Sequence, residues 1–128
     1  MIAGAVNLQR DAIVLLTVRG PEDREEALEA VVDTGYNGQV SLPALFVTRL
    51  GLPWDHSGRG FLADGSETAF PVYKATVVWD GAARVVDVDQ IETAPLIGMA
   101  MLDGYKLTIV VRQGGSVTIE SQASPPPG

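Results

Sequence analysis

The chain has no cysteine among its 128 residues. That removes disulfides, thiolate nucleophiles and Cys-ligated zinc together. Histidine is nearly as scarce. His56, in "PWDHSGRG", stands alone, and no serine sits in a G-x-S-x-G elbow. A Ser-His-Asp hydrolase site has nothing to build on, so His56 reads as a surface or loop residue. Basic residues are also few: nine Lys and Arg face sixteen Asp and Glu, for a formal charge of -7 and no basic cluster. Nucleic-acid binding needs concentrated positive charge and is not expected. Long apolar runs are missing as well. The opening "MIAGAVNLQRDAIVLL" is interrupted by Asn7, Gln9, Arg10 and Asp11. It reads as folded protein rather than a signal peptide, and no stretch nears the roughly 18 apolar residues that span a bilayer. The expectation is a soluble, cytoplasmic protein with no membrane partner.

What is present is a chain that can fold. Apolar residues make up 46% of it, too many for disorder and enough for the core of one compact domain. The pattern is one of strands punctuated by turns. "IAGAVNL" and "AIVLLTVRG" flank a polar break and predict an opening hairpin. "ALEAVVDT" is a third strand, "RGFLADGSETAF" carries the hairpin signal Asp64-Gly65, and Asp80-Gly81 repeats it between two β-rich runs. Gly114-Gly115 marks a last hairpin. "LPALFVTRLGL" is different: Pro43 suits a first helical turn and Gly51 a stop, predicting a helix of about two turns. The fold class expected is mostly β, a barrel or sandwich with one or two short helices. The domain covers 1-120. The tail 121-128, "SQASPPPG", is too rich in proline for a sheet and is expected to fray.

Several residues read first as structure. Asp87 and Asp89 alternate with valines on one strand face and, without further oxygen ligands at loop spacing, predict a solvated face rather than a calcium site. Trp54, Trp79 and Tyr73 predict core or cleft lining. Met99 and Met101 predict packing.

The residue that resists such a reading is Asp33. In "EAVVDTGYNGQVSLP" a carboxylate directly follows an apolar strand, which is costly unless it is hydrogen-bonded, paired or exposed at a cleft. Thr34 adds a hydroxyl, and Gly35 lets the backbone turn tightly enough to bring amides near the acid. Asp-Thr-Gly alone is ordinary turn chemistry. Here "LADGS" follows it, and about sixty residues after Asp33 comes "APLIGMAMLDGYKL".

With these three motifs in this order, from Met1 to about Glu120, the chain resembles the single-domain retropepsin-like aspartic peptidases and their small bacterial relatives. The resemblance implies a small closed β-barrel, aspartic endopeptidase activity, and neither cofactor nor metal. It makes Asp33 the catalytic acid, with Thr34 bonding across a twofold axis and Gly35 permitting close approach of the loops. The hairpin Ala63, Asp64, Gly65 and Ser66 would be the flap over bound peptide. Leu96, Ile97 and Gly98 would pack beneath the active-site loop, with Met99 to Leu102 beginning a helix. The family chemistry uses two carboxylates sharing one proton. One D-T-G per chain then requires a homodimer acting on a peptide or protein substrate. Three departures stand out. Tyr36 replaces the small residue usual in retroviral enzymes and would reshape the cleft or pack elsewhere. Asp64 puts a charge near a flap tip that is otherwise glycine-rich. "SPPPG" cannot serve as an interleaved terminal strand, so the dimer geometry would differ. The competing reading is a dimeric binding module on the same fold without efficient hydrolysis.

Overall fold

In a computed structural model, residues 1–122 are described, and the proline-rich end of the tail lies outside them. Ten strands and two short helices follow one another in the order β1 (Ile2–Val6), β2 (Ala12–Arg19), β3 (Glu25–Val32), β4 (Val40–Leu42), α1 (Ala44–Leu50), β5 (Trp54–Phe61), β6 (Glu67–Trp79), β7 (Ala82–Gln90), β8 (Leu96–Ile97), α2 (Met99–Leu102), β9 (Tyr105–Ile109) and β10 (Ser116–Ser121). The last strand runs to Ser121, which pairs with Tyr105.

The strands form one sheet in the order β5-β6-β7-β4-β8-β3-β2-β1-β10-β9, and an extra pairing of β6 with β2 closes it on itself. Six strands, β2, β3, β8, β4, β7 and β6, therefore make a closed barrel, as expected from the sequence. The closure depends on the length of β6. Its first half, Glu67 to Tyr73, pairs with β5. Its second half pairs with β7 on one side, and Thr76 to Val78 reach β2 on the other. The β5–β6 hairpin thus projects beyond the barrel, while β1, β10 and β9 extend the sheet at the opposite end.

Period-two alternation supplies the core. Ala12, Val14, Leu16 and Val18 of β2 point inward, as do Val77 and Trp79 of β6 and Val86 and Val88 of β7. Trp79 meets Tyr105 edge to face at 5.7 Å. Helix α1 follows Pro43, buries Val47 and Leu50, and ends at Gly51, whose φ of 61° is open to glycine at little cost. Asp80 and Gly81 both have positive φ, the backbone of a type I′ hairpin turn.

Two expectations need correction. Trp54 is neither core nor cleft lining: it is 62% exposed on β5, the outermost strand of the sheet. Met101 is fully buried as a packing residue should be, but Met99 is 46% exposed, because α2 is a single turn with one face toward the barrel.

Candidate active site

Strand β3 delivers Asp33 to the end of the barrel. Its neighbour there is β8, parallel to it, with Val32 opposite Ile97. The Asp33 amide continues this ladder by donating to the Ile97 carbonyl at 2.9 Å. One carboxylate oxygen, Oδ1, accepts the Gly35 amide at 2.9 Å, an Asx turn that fixes the side chain's orientation. Asp33 is half-buried, whereas Thr34 and Gly35 are exposed. An acid at the end of an apolar strand is tolerable here because it is hydrogen-bonded locally and reaches solvent.

Leu96, Ile97 and Gly98 lie directly beneath this loop. Strand β8 is inserted between β3 and β4, with Ile97 opposite both Val32 and Val40. Gly98 then marks the tightest point. Its amide donates to the Gln39 carbonyl at 2.9 Å, and the Met99 amide donates to the Tyr36 carbonyl at 2.8 Å. A Cβ on Gly98 would stand 2.2 Å from the Gly38 carbonyl oxygen. The sequence trio and the D-T-G loop are therefore brought into direct contact.

Tyr36 does not fill the space above Asp33. Its ring packs against Gly38 and Gly98, and its hydroxyl lies 2.5 Å from Asp89 Oδ2 and 3.1 Å from the Val40 carbonyl. Burial pushes the Tyr36 hydroxyl far above its ordinary pKa, with the Asp89 hydrogen bond and charge adding to the shift, so it stays protonated and donates. This corrects the expectation of a solvated face for Asp87 and Asp89. The two share a face, but Asp89 is half-buried under the Tyr36 hydroxyl and Asp87 is ion-paired with Lys74. Sequence reading could not see the Tyr36–Asp89 pair, since 53 residues separate its members.

Two predictions arise here. Tyr36→Phe removes a part-buried hydrogen bond to a carboxylate and is expected to cost about 1–2 kcal/mol, measurable by urea unfolding. Asp89→Asn tests a sign. Burial raises the Asp89 carboxyl above its ordinary value, opposed by the Tyr36 hydrogen bond. The folded state then holds the Asp89 proton more tightly than the unfolded chain, so this group's contribution to stability is highest at low pH and falls as pH rises through its folded pKa. Asp89→Asn is expected to raise the melting temperature near neutral pH and to lose that advantage in acid.

The β5–β6 hairpin and the D-T-G loop enclose a cleft of about 760 Å³. Gly35 to Gly38 form one wall, Asp89 to Ile91 the floor, and Arg59 to Leu62 with Thr68 to Phe70 the overhanging hairpin. The tip residues Ala63, Asp64, Gly65 and Ser66 stand beyond the cleft and do not line it. Asp64 is spent on its own turn: Oδ1 accepts the Ser66 hydroxyl at 2.6 Å and amide at 2.9 Å, which hold its carboxyl below the usual range. Gly65, with φ of 83°, makes the turn. Phe61 and Phe70 carried no motif and were not expected from the sequence, and Leu62, the first residue of "LADGS", was not expected to line the cleft.

On the other side of the loop, Thr34 lines a shallower groove with Met99, Leu102 and Tyr105. Half-exposed His56 is at the surface, on a strand, with Nδ1 2.7 Å from Asp55. Among the described residues no three His, Asp or Glu side chains gather as a metal would need, and no helix is long and apolar enough to cross a membrane.

No protein-family model and no curated protein sequence matches the chain. Solved structures do. The EIAV protease complexed with the inhibitor HBY-793 matches at 18% identity over 76% of this chain and 89% of its own, with a TM-score of 0.54. A retropepsin-like aspartic protease from Rickettsia conorii matches at 16% identity over 95% of this chain and 91% of its own, with a TM-score of 0.56. The closed six-stranded barrel with its two short helices thus belongs to a known architecture: the fold of this chain is retropepsin-like.

Proposed function

We propose that the protein is an aspartic endopeptidase, active as a homodimer in which each chain contributes Asp33. The observation that carries this reading is the half-exposed Asp33 at the end of β3, where the two residues that follow it line different surfaces. Gly35 faces the hairpin-covered cleft, and Thr34 faces the groove with exposed Met99 on the opposite side. A twofold axis passing by Thr34 brings the two Asp33 carboxylates together and leaves the cleft open to peptide. Thr34 then bonds to the partner's loop, and Met99 loses its exposure to water.

The chemistry follows from two carboxylates held a few ångströms apart. Both cannot ionise, so one carries a proton and the other does not. The charged member accepts a proton from a water between them, the protonated member donates to the scissile carbonyl, and the water oxygen attacks the carbonyl carbon. The substrate lies extended beneath the hairpin, bound through main-chain hydrogen bonds. The titration belongs to the pair rather than to either chain. The fold shared with two proteases supports this reading.

The test is cleavage of a peptide library across protein concentrations, alongside sedimentation. The rate per chain is expected to rise with concentration and level off as the dimer fills. A rate per chain independent of concentration over a range where sedimentation shows the dimer dissociating would contradict the shared site. Absence of cleavage by a confirmed dimer favours the peptide-binding module.

A further inference from the structure

The charged residues lining the cleft are Arg59 and Asp89. They are not equivalent. Arg59 stands 3.3 Å from Glu67 across its own hairpin and is largely exposed. Asp89 has no ion-pair partner among the described residues. Its Oδ2 is bound by the Tyr36 hydroxyl. Its Oδ1 accepts no side-chain hydrogen bond there, and it is not sealed from solvent. A half-buried carboxylate at a cleft, with one oxygen bound only by solvent, can exchange that water for a ligand's donor.

The rest of the cleft defines what donor fits. Phe61, Phe70, Leu62 and Ile91 give the lining an apolar and aromatic character. A side chain that satisfies both demands has an apolar stem and a cationic head. We infer that Asp89 is a specificity-determining residue, selecting a peptide with a cationic side chain whose head bonds Asp89 Oδ1 and whose stem lies on the apolar lining of the cleft. With Tyr36 already on Oδ2, a guanidinium's two-pronged contact would have to share that oxygen, whereas an ammonium needs only Oδ1. Lysine is therefore preferred to arginine. The inference rests on the cleft being the peptide site of the proposed peptidase, and names the substrate feature it reads.

The test separates binding from cutting. Asp33→Asn protein is titrated near neutral pH with fluorescent peptides in matched pairs, lysine against norleucine at each position in turn. Asp89→Asn, with Asp89→Gln as a second substitution should the first not fold, is added in the same background, and Asp87→Asn serves as a control that changes the same charge outside the cleft. At one position lysine is expected to bind roughly tenfold or more tightly than norleucine, the worth of a charge-assisted hydrogen bond. The ratio is expected to fall to about one without Asp89 and to persist without Asp87. Peptides that bind without a lysine preference, or that keep it in both Asp89 variants, overturn the inference while cleavage by the unmodified protein still supports the peptidase. An Asp89-dependent preference without any cleavage upholds the inference and removes the peptidase. Neither binding nor cleavage overturns both.

Discussion

Asp33→Asn is expected to lower peptide cleavage by about 10³-fold or more, the scale of a lost general acid–base group. The substitution is close to isosteric. The side-chain oxygen that accepts the Gly35 amide at 2.9 Å can be retained by the amide oxygen of Asn, so the Asx turn should survive. What disappears is the capacity to hold or release a proton. The loss is therefore expected in kcat, with KM little changed, because the interactions removed are made in the transition state. Thermal stability should move by no more than about 0.5 kcal/mol. Full cleavage by a folded Asp33→Asn protein would place the chemistry elsewhere.

Gly98→Ala is expected to cost about 2–3 kcal/mol of stability, the upper range for overpacking. Its φ of -102° and ψ of -179° are open to any residue, so backbone strain is not the reason. The obstacle is space. The added Cβ would stand 2.2 Å from the Gly38 carbonyl oxygen and 2.6 Å from the Tyr36 ring. The carbonyl belongs to the backbone of the D-T-G loop and cannot swing aside, so the loop itself must lift. Activity should fall with stability, since the same displacement moves Asp33. Gly65→Ala provides the contrast. Nothing lies within 4 Å of its Cβ, but its φ is 83°. Its cost, about 1–2 kcal/mol, comes from the left-handed backbone alone and is felt at the hairpin tip. Urea unfolding of both variants checks the ordering.

Much of the barrel was legible because its signals are local. Asp64-Gly65 and Asp80-Gly81 announce turns by φ preference, and β2 declares its buried face by alternation. The contact within the candidate site was legible in part for a different reason: D-T-G and Leu96-Ile97-Gly98 are short motifs whose meaning comes from being found together. Their contact, through the Gly98 and Met99 amides, became visible only with the fold. What escaped the sequence depends on pairs distant along the chain. Asp89 reads as one more outward strand residue until Tyr36 is placed beside it. Trp54 reads as core or cleft lining until β5 proves to be an outer strand. The cleft's aromatic lining, Phe61 and Phe70, lies opposite the D-T-G loop only because β6 is long enough to carry a hairpin past the barrel.

The central claim, that one active site needs Asp33 from two chains, is tested most directly by mixing subunits. Unmodified protein at fixed concentration receives increasing Asp33→Asn protein, after time for exchange, and peptide cleavage is followed. With equal amounts and random pairing, about half the intact chains sit in mixed dimers and activity should fall to about half; a threefold excess should leave about a quarter. Activity that stays constant while exchange is demonstrated would mean that a single chain suffices, and would contradict the account.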